Sequence, residues 1–149
     1  MASTAPRVLI VDDSAFMRFM LQKILTDAGF DVVGEATDGS EGAELYKILR
    51  PDVVTMDITM PVLSGLEVLN RILRIDPEAR VIMISAMGQK STVLKALQSG
   101  ARGFIIKPFD KTKVIDTVRD VLAFSHKSTE LPALPDSAPS SREDTQQKP

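Results

Sequence analysis

Five short apolar runs alternate with longer segments whose apolar residues recur at helical spacing. Arg7 to Val11 (RVLIV), Val53 to Met56 (VVTM), Arg80 to Ser85 (RVIMIS) and Gly103 to Ile106 (GFII) are dominated by aliphatic residues, many β-branched. Such near-continuous runs read as strands buried on both faces. Asp31 to Ala36 (DVVGEA) is more polar and reads as an edge strand. Between the runs, Met17, Met20, Leu21, Ile24, Leu25 and Ala28 predict a first helix, with Ser14 as its N-cap and Gly29 closing it. Gly42, Leu45, Tyr46 and Leu49 predict a second helix that must end before Pro51. Leu66, Leu69, Ile72 and Leu73 predict a third, and Val93, Leu97 and Gly100 a fourth. Val114, Val118, Val121 and Leu122 predict the last.

Strict strand–helix alternation argues for an α/β fold, a doubly wound parallel sheet with helices on both faces. In such a sheet the C-terminal strand ends share one rim, which is where ligands bind. The sequence delivers Asp12 and Asp13, Asp57, Ser85 and Lys107 to that rim. Asp57 follows the short central run Val53 to Met56, and Thr59, Met60 and Pro61 break the pattern just beyond it.

Three carboxylates brought within a few ångströms repel one another. Each pair costs on the order of 4 kcal/mol at about 4 Å with an effective dielectric near 20. A cation must relieve this, or one carboxylate must hold a proton. Oxygen-only donors suit a hard ion such as Mg²⁺. Lys107 adds a compact positive charge and Ser85 a hydroxyl donor, a set suited to phosphoryl transfer onto Asp57 as nucleophile. A dinucleotide site would need a Gly-rich turn after the first strand, where this chain has Asp12-Asp13-Ser14. An Asp-nucleophile phosphatase would want a second acid two residues after the nucleophile, where Thr59 stands.

Composition narrows the setting. The chain has 149 residues, a formal net charge of −2 and no cysteine, which excludes disulfides, thiolate metal sites and Cys nucleophiles. Mixed charge gives no footprint for nucleic acid, and no apolar run has the roughly 20 residues of a membrane span. The N-terminal MASTAPR has no signal-peptide core, so a cytoplasmic protein is expected. From Ser125 onward Pro, Ser and charge dominate, with Leu131 and Leu134 the sizeable apolar residues. The expected division is a domain over residues 1–124 and a flexible tail over 125–149. His126, the single histidine, falls at that junction.

From Arg7 to about Phe124 the chain resembles the receiver domain of bacterial two-component response regulators. The resemblance rests on VDDS (Asp12, Asp13), MDITMP (Asp57, Pro61), ISAM (Ser85) and KPF (Lys107, Pro108) in that order. Its segments DSAFMR, VTMDITMP and SAMGQ are most similar to single-domain chemotaxis regulators of the CheY type. The resemblance implies a flavodoxin-like (βα)5 sheet in the order 2-1-3-4-5. It implies phosphorylation of Asp57 by a histidine kinase, with Mg²⁺ held by Asp13, Asp57 and the Thr59 backbone carbonyl, and by Asp12 through water. Ser85 and Lys107 would contact the phosphoryl group, and the Lys107–Pro108 peptide would be cis.

The same resemblance implies a switch, not an enzyme acting on other substrates. Ser85 would move toward the phosphoryl group and Phe104 would turn inward, reshaping the face of helix four, strand five and helix five. Many receivers carry Tyr where this chain has Phe104, so no phenol hydroxyl takes part. Thr59 and Met87 would tune dephosphorylation by limiting water access. The expected partners of this monomer are a chemotaxis histidine kinase, a flagellar motor switch protein and a phosphatase, without nucleic acid or membrane. The alternative is a stand-alone receiver in a phosphorelay or another non-flagellar pathway.

Overall fold

The computed structural model describes residues 5–86 and 90–123. Along them run β1 (Arg7–Val11), α1 (Ala15–Asp27), β2 (Asp31–Ala36), α2 (Gly39–Leu49) and β3 (Val53–Asp57). They continue as α3 (Gly65–Ile75), β4 (Val81–Ala86), α4 (Lys90–Ser99), β5 (Gly103–Lys107) and α5 (Lys111–Ala123). The strands form one parallel sheet in the order β2-β1-β3-β4-β5, a flavodoxin-like arrangement. Every residue of the central strand β3 is buried, whereas the polar strand β2 lies at an edge with Asp31 and Glu35 exposed.

Because successive strand residues point to opposite faces, the apolar runs supply two separate cores. Leu9, Val11, Val54, Met56, Val81 and Met83 pack on one face against Tyr46 of α2, Val68, Leu69 and Ile72 of α3, and Val93 and Leu97 of α4. Val8, Ile10, Val53, Ile82, Ile84 and Ile105 pack on the other against Leu21 and Leu25 of α1 and Val114, Val118 and Val121 of α5. Strands buried this way carry charged residues only at their ends, Asp57 as the last residue of β3 and Lys107 as the last of β5. Thr55 is a buried polar residue within β3, while Ser85 stands one residue before the end of β4. That places the carboxylates and Ser85 at the rim.

Helix starts also follow the sequence. The Ser14 hydroxyl accepts from Met17 N–H at 3.2 Å, and Ser64 and Glu67 form a reciprocal capping box at the start of α3. After the C-cap residue Ala28, Gly29 takes a φ of +95°, a conformation that glycine adopts without steric cost. The boundaries move by one residue in places: β4 spans Val81–Ala86 and β5 extends through Lys107. No helix among the described residues is long and apolar enough to cross a membrane.

Candidate functional site

Asp12 leaves β1 buried, and Asp13 beside it is exposed. Its backbone is tied to β2 by the Asp12 N–H, which donates to the Ala36 carbonyl at 3.1 Å. Its carboxylate Oδ1 accepts from Ser14 N–H at 2.8 Å, the local turn that lets Ser14 go on to cap α1. The other oxygen, Oδ2, is buried and has no hydrogen-bond partner. An unsatisfied buried carboxylate oxygen is costly, and it points to a missing cation or donor.

Asp57 ends β3 with 5% of its surface exposed. Its Oδ1 accepts from Thr59 N–H at 3.1 Å and lies 3.9 Å from Lys107 Nζ at the end of β5. Carboxylate oxygens of Asp12, Asp13 and Asp57 all fall within 4.8 Å of one another. Burial raises the Asp57 carboxyl from 3.8 to about 6; the charge on Asp12 adds to the rise, and Lys107 opposes it. Asp12 is likewise raised, chiefly by burial, with the Ser14 N–H pulling the other way. Two acids held above their ordinary range and one orphaned oxygen form a donor set that fits a hard divalent cation.

Ser85, on the neighbouring strand β4, is buried with its hydroxyl unpartnered. Phe104 lies half-buried on β5 against the α2–α4 core, and the Lys107–Pro108 peptide is cis. Thr59 is exposed on the loop after β3. Asp12, Asp13, Asp57 and Lys107 thus meet at one point, with Ser85 on an adjoining strand end. Met87, the second residue expected to tune water access, lies outside the described residues, as do Phe124, His126 and the segment 125–149.

Three further residues shape this rim and escaped the sequence reading. Arg18, on α1, donates through Nη1 to the Asp12 carbonyl at 2.7 Å. Gly65, at the start of α3, donates its N–H to the Ile58 carbonyl at 2.8 Å and packs directly on the Asp57 backbone. Val62, in the loop between β3 and α3, is fully exposed with a φ of +68°, a costly conformation for a β-branched side chain. The glycine could have been suspected from its place just inside a Ser-capped helix; nothing local marks the other two.

The response regulator receiver domain family matches residues 8–119. The chain is 53% identical over 115 residues to chemotaxis protein CheY of Thermotoga maritima, spanning 77% of this chain and 96% of that protein. It is 52% identical over 118 residues to chemotaxis protein CheY of Bacillus subtilis, spanning 79% and 98%. Among solved structures, one from the CheX–CheY–BeF3–Mg²⁺ complex of Borrelia burgdorferi is similar with a TM-score of 0.76 and 44% identity. The likeness covers 79% of this chain and 90% of that one. The match begins in β1 and ends within α5, so it takes in every strand that brings a residue to the rim. The chain belongs to the response regulator receiver domain family.

Proposed function

We propose that this chain is a phosphorylation-activated signalling switch of the CheY type, in which Asp57 accepts a phosphoryl group from a histidine kinase. The observation that carries the reading is the geometry around Asp57: a buried carboxylate at a strand end, facing Lys107 at 3.9 Å and two further carboxylates. Thr59 N–H and Lys107 engage Oδ1, which leaves Oδ2 to attack phosphorus. The new bond is Asp57 O–P. The bond broken is P–N of the donor phosphohistidine, whose imidazole takes up a proton as it leaves. Lys107 balances charge on the incoming phosphoryl oxygens.

Asp12, Asp13, Asp57 and the Thr59 carbonyl would hold Mg²⁺. When bound, the ion neutralises charge shared between carboxylates and phosphoryl oxygens. The Borrelia relative was solved in a complex that contains Mg²⁺ and BeF3. Reversal is in-line attack by water, which Thr59 and Met87 would gate. The chain catalyses only these two steps on itself.

The test is direct. Incubated with Mg²⁺ and a small acyl phosphate, the wild-type chain should gain the mass of one phosphoryl group, and Asp57→Asn should gain none. Label on any other residue, or none on the wild type, sinks the reading.

The phosphoryl group becomes a signal through Ser85. Its unpartnered hydroxyl is available to donate to a phosphoryl oxygen, and drawing it in shifts the end of β4. Phe104 then turns into the space, and the face made by α4, β5 and α5 changes shape. Moving a 1:99 equilibrium to 99:1 takes about 5.5 kcal/mol, within reach of a few charge-assisted hydrogen bonds. Ser85→Ala should therefore still be phosphorylated yet show less than a twofold gain in affinity for its target. A full gain measured by calorimetry on the alanine variant would refute this relay.

Similarity to chemotaxis proteins favours a cytoplasmic monomer serving a chemotaxis kinase and phosphatase, with the flagellar motor switch protein as target. In this reading residues 1–124 are the receiver and 125–149 a tail. A stand-alone receiver in a phosphorelay would use the same chemistry. Binding to a flagellar switch protein separates the two.

A further inference from the structure

Arg18 hydrogen-bonds to the acidic cluster through the Asp12 backbone. Its side chain is 16% exposed, and its guanidinium donates to the Asp12 carbonyl at 2.7 Å and lies 3.5 Å from Glu35 Oε1 on the edge strand β2. Around Asp12 the bonds are directional. The N–H goes to Ala36, the carbonyl is held by Arg18 and Oδ1 by Ser14. What remains is Oδ2, buried without a partner, on a carboxylate that groups with those of Asp13 and Asp57. Holding the main chain on both sides of Asp12 fixes where that last oxygen lies.

We propose that Arg18 is a positioning residue for divalent-cation binding: by clamping the β1–α1 turn to β2 through the Asp12 carbonyl and Glu35, it sets Asp12 Oδ2 for the ion. The proposal rests on the reading of the acidic cluster as a Mg²⁺ site. Two physical effects of Arg18 oppose each other, which makes the role measurable. Its positive charge repels a nearby cation, so on Coulomb grounds alone removing it should tighten Mg²⁺ binding. Its hydrogen bond orients a ligand. Loss of such outer partners typically weakens metal affinity by about 10–100-fold. A charge-assisted bond from a mostly buried arginine side chain to a fixed carbonyl is the stronger influence at this range.

The experiment is a Mg²⁺ titration of the full chain, followed by amide NMR shifts at a temperature where every variant is folded. Arg18→Met should raise the Mg²⁺ Kd about tenfold, the lower end of that range. Arg18→Lys keeps one donor without the fork and should recover part of the loss. Glu35→Gln, which loosens the clamp from its other end, should weaken binding in the same direction by a smaller factor. Unchanged or tighter binding in Arg18→Met overturns the clamp while leaving the site intact. A wild type whose Asp12, Asp13 and Asp57 amides do not respond to Mg²⁺ overturns the clamp and the metal site together. A lysine variant no better than methionine also counts against the clamp, since a donor there should restore part of it.

Discussion

Gly65→Ala is expected to destabilise this chain by about 3 kcal/mol or more and to disturb Asp57 with it. A Cβ on Gly65 would fall 2.7 Å from Ile58 Cα and closer still to the Asp57 carbonyl oxygen. Both neighbours are backbone, so no side chain can rotate away. Relief requires α3 to withdraw from β3. That movement breaks the bond from Gly65 N–H to the Ile58 carbonyl and pulls on the segment that carries Asp57 and Thr59. The urea midpoint should fall sharply, and the rate of acyl-phosphate labelling should fall in the protein that remains folded. Gly29→Ala is the control. It meets nothing within 4 Å and suffers only from its φ of +95°, so its cost should be about 1 kcal/mol, with labelling unchanged. A Gly65 variant within 0.5 kcal/mol of wild type, roughly the noise of surface changes, would contradict the close approach of α3 to the site.

Asp57→Asn has the opposite sign: the metal-free chain should become more stable at neutral pH. The folded carboxyl titrates near 6 against an ordinary 3.8, because burial and the Asp12 charge disfavour the ionised form. The folded state therefore binds more protons than the unfolded chain between those values. Stability contributed by Asp57 falls as pH rises from 3.8 to about 6, and above 6 the penalty is complete. Its size is roughly 3 kcal/mol, about 1.4 for each pH unit between the two values. For a domain of this size that corresponds to a melting temperature higher by about 6–12 °C in Asp57→Asn at pH 7, with the difference gone below pH 4. Saturating Mg²⁺ should narrow the gap by stabilising the wild type, by about 2.7 kcal/mol at a hundred times its Kd. An asparagine variant that is no more stable at pH 7, or whose advantage persists at pH 3.5, would show that Asp57 is not held ionised against its surroundings.

Both effects come from one tension in the fold. The fold packs α3 tightly onto the backbone of Asp57, and this keeps a carboxylate where isolated folding would not choose to put a charge. Asp12 shares the strain through its unpartnered oxygen. Stability given up at such a cluster is what a cation or a phosphoryl group can return on binding. In the proposed switch, that return is the free energy available to move Ser85 and Phe104.

Much of this was legible in the order of residues. Runs such as RVLIV and VVTM must be buried on both faces, which demands a parallel sheet under two helical layers. Once the sheet is parallel, the residues after each run share a rim, so Asp12, Asp13, Asp57, Ser85 and Lys107 could be assembled before any distance was known. Edge placement of β2 followed from its polar residues. These inferences work because periodicity and strand ends are local properties of the chain.

Other features required the assembled molecule. Arg18 and Glu35 lie on different elements and meet only when α1 packs beside β2. Gly65 looks like any helix-start glycine until α3 is laid on β3. The 3.9 Å between Lys107 and Asp57 and the isolation of Asp12 Oδ2 depend on how loops close between strands. The sequence by itself determined which residues reach the rim, because burial and chain direction leave no other arrangement. Tertiary structure alone decided their mutual distances and their charge state, because desolvation and Coulomb energy depend on neighbours far away along the chain.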